Sequence, residues 1–349
     1  MGFGAIMGLA NTIDILRHAE KNSYAVGAFN CMNLEFLNGI LEGAERMRSP
    51  VILNIAEVHF PYVNIEQITP AIKYMADNVC VPVVLNLDHG LSVETVVRAI
   101  RCGFSNVMYD ASKKSLEQNI EETRLVVRMA HAVGVSVEAE LGRVGGAEGG
   151  GKARARREFF TNPDEAERFV TETGVDSLAV AVGNAHGFYE ETPELDFDLI
   201  ATLRRRTGIP LVLHGGSGIP DEDFRRAIAL GIRKINYFTE MSKLAADRVR
   251  ELIRASDEYL LHDLVLEAKN RIRDVVMERI RVWGSEGACA LPGAPCPSAG
   301  KCRAGSDSDK PDPAPSPVPA FKSGKPDDAD ITALVAKVIA EVLSVKRAT

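Results

Sequence analysis

Eight short apolar runs alternate with segments of helical periodicity over most of this 349-residue chain. The runs are AVGAFN (25–30), VILNIAE (51–57), VPVVLNLDH (81–89), NVMYDA (106–111), SVEAELG (136–142), SLAVAVG (177–183), PLVLHG (210–215) and KINYF (234–238). Runs this short and this rich in Val, Leu and Ala read as strands buried on both faces. The segments between them, such as 92–103, 115–134 and 220–231, repeat their apolar residues at helical spacing, and several close on glycine, as helix C-termini do. A further helix over 12–22, with Thr12 as its expected cap, precedes the first strand. Eight alternating β and α units predict a (β/α)8 TIM barrel rather than an open doubly wound sheet. No G-x-G-x-x-G follows the first run, which argues further against a dinucleotide-binding sheet.

The conspicuous polar residues fall at the C-terminal ends of these strands: Asn30, Asp88, His89, Asp110, Glu140, His186, His214 and Asn236. In such barrels that rim carries the active site. Strand ends meeting solvent would account for one or two of them. They would not account for three of the chain's seven histidines, His89, His186 and His214, each followed by glycine. Three imidazoles from separate strands, with a coordination position left open, are a catalytic zinc arrangement. His18, His131 and His262 lie on helical segments and read as structural or surface groups, while His59 borders the pocket without a metal signature.

Asp88 precedes a candidate ligand by one residue. It either faces the substrate and moves a proton or holds a histidine tautomer. Asp110 and Glu140 would orient histidines, hold a second divalent or monovalent cation, or accept from a substrate hydroxyl. Gly215, Gly216, Ser217 and Gly218 open the helix after the seventh strand, where backbone N–H groups and a helix start favour an anion. Asn236 and Thr239 at the eighth strand end would complete that cradle. Residues 145–157, glycine-rich with Glu148 in the middle, read as a mobile lid or as a plain surface loop.

The net charge of −7 argues against a nucleic-acid partner. No apolar run approaches the length of a membrane span, and the first residues lack the basic region of a secretory signal. Six cysteines without a disulfide framework point to a reducing, cytoplasmic location. The barrel domain is expected over 1–284, ending in a long helical region at 240–281. A Pro/Gly/Ser-rich linker follows over 285–329, then an amphipathic helix over 330–349. Ile331, Leu334, Val335, Val338, Ile339, Val342 and Leu343 form one apolar stripe on that helix. Cys289, Cys296 and Cys302 in the linker do not have zinc-ribbon spacing.

LDHG, SVEAELGRVGG, GVDSLAVAVGNAHG and PLVLHGGSGIP, in this order, resemble the class II, zinc-dependent ketose-bisphosphate aldolases, and the resemblance runs from about residue 12 to residue 284. It implies that His89, His186 and His214 bind a catalytic Zn2+ that polarises the carbonyl of dihydroxyacetone phosphate and stabilises its enediolate. Asp88 would exchange a proton at the C4 hydroxyl, and Glu148 would take the C1 proton. Asp110 and Glu140 match a second metal position. Gly187, Gly215, Gly216, Ser217, Asn236, Tyr237, Phe238 and Thr239 match the phosphate and cation cradle, and Ser49 a contact to the acceptor aldehyde. The implied reaction is reversible cleavage of a ketose 1,6-bisphosphate, fructose before tagatose, to dihydroxyacetone phosphate and an aldehyde such as glyceraldehyde 3-phosphate. The implied assembly is a homodimer or homotetramer.

Three departures from the family pattern leave the acceptor aldehyde open. Gly149, Gly150 and Gly151 follow Glu148 where relatives carry acids, Tyr237-Phe238 puts aromatics in the eighth-strand slot, and only Lys269 or Arg271 stands near the usual phosphate-gripping arginine. The linker and terminal helix resemble the encapsulation peptides that take enzymes into bacterial microcompartments through a shell protein. A dimerisation helix or a fold-back onto the barrel has the same pattern. A Schiff-base aldolase using Lys234, and a non-catalytic partner subunit or cargo protein, are the competing readings.

Overall fold

A computed structural model describes residues 9–146, 152–153, 155–189 and 192–289. Glu148, Gly149–Gly151, the linker beyond residue 289 with Cys296 and Cys302, and the helix expected over 330–349 lie outside the described residues.

Eight parallel strands close into a barrel in the order 1-8-7-6-5-4-3-2. They are β1 (Val26–Asn30), β2 (Val51–Ala56), β3 (Val83–Gly90), β4 (Asn106–Tyr109), β5 (Ser136–Leu141), β6 (Ser177–Val180), β7 (Leu211–Leu213) and β8 (Ile232–Tyr237). Ten α-helices are described: α1 (Thr12–Asn22), α2 (Leu34–Arg46), α3 (Ile65–Ala76), α4 (Val93–Cys102), α5 (Leu116–Ala132), α6 (Pro163–Thr173), α7 (Phe197–Thr207), α8 (Asp221–Ala229), α9 (Thr239–Ala255) and α10 (Leu261–Trp283). The expected (β/α)8 architecture is therefore present. The long helical region after β8 divides into α9 and α10. Asn11, not Thr12, caps α1, its side chain accepting from the Ile13 amide at 2.8 Å.

Alternation along each strand sorts the side chains into two layers. Phe29, Leu53, Leu85, Leu87, Val107, Val137, Leu178, Leu213 and Ile235 pack outward under the helices. Val26, Ala28, Ile52 and Val84 pack inward beneath Ile15, Leu16 and Ala19 of α1, which closes the N-terminal end. The interior above them is partly polar. Asn86 donates to Asn54 at 2.9 Å, Asn106 to Asn86 at 2.6 Å, and Ser136 to Asn106 at 2.7 Å, linking β2 to β5. These groups are buried and so need such partners.

Gly39 and Gly43 let α10 press against α2; a Cβ on Gly39 would lie 2.8 Å from the Lys269 carbonyl oxygen. Lys269 also binds Glu42 at 2.6 Å, so it is engaged within the chain rather than held ready for a phosphate. Chain packing continues past 284. Ser285 is fully buried, and the Gly287 amide donates to the Met47 carbonyl at 2.9 Å. Among the described residues, no helix is long and apolar enough to cross a membrane.

Candidate active site

β3 delivers two side chains to the barrel mouth. Asp88 shares its parity with Val84 and Asn86 and so projects inward. His89 should then project outward, but the register of β3 on β4 slips between Leu87 and Gly90, and His89 adopts φ +43°. A left-handed residue other than glycine costs about 1–2 kcal/mol. Here it turns the His89 ring into the mouth beside His214, at a centroid separation of 4.7 Å. Strand alternation alone would have kept Asp88 and His89 on opposite faces.

His214 follows β7 directly. His186 reaches the mouth differently: β6 ends at Val180, and His186 stands on a two-residue strand, Ala185–His186, in the loop beyond it. Gly145–Gly146 pairs with that short strand. A Cβ on Gly146 would fall 1.9 Å from the His186 carbonyl oxygen, and Gly146 has φ +88°, so only glycine fits there. The His186 ring lies 4.9 Å from His89 and 5.6 Å from His214.

Each of two imidazoles presents one nitrogen to a carboxylate and the other to the centre. His89 Nδ1 is 2.9 Å from Asp110 Oδ2, and His214 Nε2 is 2.9 Å from Glu138 Oε1. The inward nitrogens, His89 Nε2 and His214 Nδ1, stand 3.0 Å apart. Carboxylates only accept, so each outer nitrogen donates, and a neutral ring then turns the lone pair of its inner nitrogen to the centre. Two nitrogen ligands of one tetrahedral ion, each about 2.0–2.1 Å from it, stand roughly 3.3 Å apart. Burial, then the neighbouring imidazoles, hold His186 and His214 well below the usual histidine range. Neutral rings are the form that binds a metal. His89, His186 and His214 therefore fit a divalent ion, and His89, Asp110 and Glu140 form a second group within ligand distance of one another.

The carboxylates differ. Burial works against the charge of Asp88, yet His89, His214 and Lys234 hold it below the usual range. Its Oδ1 accepts from Asn236 Nδ2 at 3.0 Å, while Oδ2 is buried without a hydrogen-bond partner among the described residues. Burial also opposes the charge of Asp110, but the His89 hydrogen bond keeps it low. Burial, then the Asp110 charge, pushes Glu140 up to about 8.

Beside the histidines, one narrow cleft is lined by Gly187, Gly215, Gly216 and Ser217 on one side and by Asn236, Tyr237, Phe238 and Thr239 on the other, with Asn30 and His186 at its ends. Of the residues expected in the cradle, Gly218 alone does not line this cleft, and Ser49, expected to contact the acceptor aldehyde, does not reach it. Ser49 precedes β2, at the N-terminal end of the barrel, fully buried and bonded to Ser285 Oγ at 2.9 Å. A residue before a barrel strand lies opposite the rim, so Ser49 is not brought to the site. Tyr237 offers the cleft only backbone, because its ring packs edge-on against Trp283 at 5.7 Å. A second, wider cleft of about 520 Å³ opens from His89 and Glu140 toward Arg143 and Phe159.

Asn30 and His59, expected at the rim and at the pocket's border but given no role there, both reach the site: Asn30 lines the narrow cleft and the His59 ring packs on Phe238 at 4.9 Å. Both polar side-chain atoms of Asn30, and Nδ1 of buried His59, lack hydrogen-bond partners among the described residues. Deeper groups were missed. Glu138 shares the inward parity of Glu140, two residues on, and that alternation was readable from SVEAEL.

Histidines and carboxylates gathered at the C-terminal mouth of a (β/α)8 barrel, over a glycine-lined cleft, define an enzyme. Residues 10–288 match the family described as fructose-bisphosphate aldolase class-II. The chain belongs to the class II fructose-bisphosphate aldolase family, and it is therefore an aldehyde-lyase. It is 41% identical over 288 residues to a fructose-bisphosphate aldolase of Geobacillus stearothermophilus, covering 81% of this chain and 100% of that protein. It is 38% identical over 273 residues to a sulfofructosephosphate aldolase of Alkalicoccus urumqiensis, covering 78% of this chain and 95% of that protein. The solved YdjI aldolase of Escherichia coli K12 superposes with a TM-score of 0.72 at 36% identity, over 81% of this chain and 100% of that one.

Proposed function

We propose that this chain is a zinc-dependent aldolase that cleaves a ketose 1,6-bisphosphate, fructose 1,6-bisphosphate first, to dihydroxyacetone phosphate and an aldehyde. The observation that supports the metal is the pair of inward imidazole nitrogens 3.0 Å apart, each ring backed by a carboxylate, with His186 beside them. Bound to His89, His186 and His214, the ion would act as a Lewis acid at the substrate carbonyl.

The chain's own groups supply the rest. Asp88 Oδ2, buried without a hydrogen-bond partner among the described residues on a carboxyl held below the usual range, takes the proton from the C4 hydroxyl as the carbon–carbon bond breaks and returns it in condensation. Asn236 holds the other oxygen of that carboxylate. Glu148 exchanges the C1 proton. The cleft of Gly187, Gly215, Gly216 and Ser217 receives the phosphate of the dihydroxyacetone half through backbone N–H groups. Asp110 and Glu140 offer a place for a second cation. Tagatose bisphosphate and a sulfonated acceptor are the nearest alternative substrates, the latter favoured by the likeness to a sulfofructosephosphate aldolase. A panel of aldehydes condensed with dihydroxyacetone phosphate, with products separated by stereochemistry, tests the assignment. A sulfonated aldehyde outperforming glyceraldehyde 3-phosphate would overturn it.

For assembly, the reading is a homo-oligomer, supported by exposed Ile253, Leu260, Leu261 and Leu266 on and beside α9 and α10. For the tail, it is recruitment to a microcompartment shell, supported by the apolar stripe of 331–343. Deleting 328–349 should then leave cleavage unchanged and abolish co-localisation with shell protein; retained co-localisation would contradict it.

A further inference from the structure

Directly beneath the histidines lies an ion pair that no surface touches. Lys234 Nζ binds Glu138 Oε2 at 2.6 Å, and both side chains are fully buried. Two of the pair's register neighbours are apolar, Met108 beside Glu138 and Val212 beside Lys234. An apolar pair of similar volume would suit this position at least as well, since removing two charges from water costs more than their attraction commonly returns. The pair therefore calls for a reason other than packing.

The second oxygen of Glu138 supplies one. Oε1 stands 2.9 Å from His214 Nε2. Resting on the metal-binding reading above, we infer that Lys234 and Glu138 are a positioning pair, which fixes the nitrogen that His214 offers to the ion. A carboxylate accepts and a lysine ammonium donates, so neither can reverse its role. Lys234 occupies one oxygen of Glu138. The other must then accept from Nε2–H, and His214 is left with a lone pair on Nδ1, the atom that faces His89. Asp110 does the same for His89 from the rim, but there the carboxylate is partly exposed and a backbone amide, that of Ser112, is its other partner. At His214 the orienting charge is sealed inside the barrel, beyond the reach of solvent or substrate. This also disposes of Lys234 as a Schiff-base nucleophile: its amine is committed to Glu138, below the histidines.

The test uses the full-length protein and two double variants, Glu138→Leu with Lys234→Met and Glu138→Gln with Lys234→Met. Three readouts are taken: melting temperature without metal, zinc affinity by competition with a chromophoric chelator, and the imidazole tautomers of 15N-histidine-labelled, metal-free protein. The wild type should show His214 as a single Nε2–H tautomer. The Leu/Met variant should melt close to the wild type, bind zinc roughly 10–100-fold more weakly, and show His214 as a mixture of tautomers. If the Leu/Met variant does not fold, the nearly isosteric Gln/Met variant takes its place, with the same expected loss of zinc affinity. Unchanged zinc affinity and an unchanged tautomer in a folded double variant would overturn the inference, leaving the pair a structural feature. A wild-type protein that binds no zinc would instead overturn the metal-binding reading on which it rests.

Discussion

Asn236 donates its Nδ2–H to Asp88 Oδ1 at 3.0 Å, joining the ends of β8 and β3 across the barrel mouth. The bond holds one carboxylate oxygen and leaves the other without a hydrogen-bond partner among the described residues. Replacing Asp88 with Ala should therefore lower kcat for aldol cleavage by about 10²–10⁴-fold, the range of a lost general acid–base group. Zinc content should be unchanged. Steady-state kinetics beside metal analysis checks both; cleavage at the wild-type rate would show that the proton moves elsewhere.

Gly146 carries a second expectation. A methyl group there would strike the His186 backbone, and the positive φ strains any other residue. Gly146→Ala should displace Gly145–Gly146 from Ala185–His186 and lower kcat/KM at least ~10-fold, because small misplacements of a site cost about that much or more. The melting temperature should hardly move, since the barrel lies elsewhere. A full loss of folding would place Gly146 in the core scaffold instead.

Ser49 and Ser285 share a buried hydrogen bond at the end of the barrel opposite the site. Ser49→Ala should cost about 1 kcal/mol of stability and leave KM for every aldehyde unchanged. Denaturant unfolding and aldehyde titration separate these effects, and a raised KM would restore Ser49 to the acceptor site.

Metal-free protein should lose stability in mild acid. His186 and His214 are held below their usual pKa, so under pH 6.5 the unfolded chain takes up protons that the folded chain refuses. Stability then falls as pH falls, by up to about 1.4 kcal/mol per pH unit for each ring. Glu140, raised to about 8, acts in the opposite sense between 4.5 and 8, because the folded state holds its proton. Glu140 therefore offsets part of the acid loss from the rings, to which His59, also lowered by burial, adds. Urea unfolding of chelator-treated protein at stepped pH measures it; stability rising toward acid would mean that the rings are not buried neutral.

The barrel was legible because its strands are fully buried and its helices amphipathic, two patterns that differ in period. The rim was legible because charged groups at the ends of such strands stand out. What lay inside was not. Asn54, Asn86, Asn106, Glu138 and Lys234 interrupt strands that still read as apolar, and strand parity, which places them inward, carries no information on which strand each one meets. The turn of His89 into the mouth rests on a bulge and a left-handed backbone that no residue type announces. Ser49 was misplaced for a simpler reason: it stands before a strand, and in a parallel barrel that end faces away from the chemistry.

On the proposed reading, His89, His186 and His214 share one ion on which cleavage depends. Zinc titration of the full-length protein, followed by assay after chelation and after zinc is restored, tests it most directly. One zinc per chain should bind tightly and be lost in His214→Ala, with cleavage abolished by chelation and recovered on readdition. Chelator-insensitive cleavage, with borohydride trapping substrate on a lysine, would contradict it.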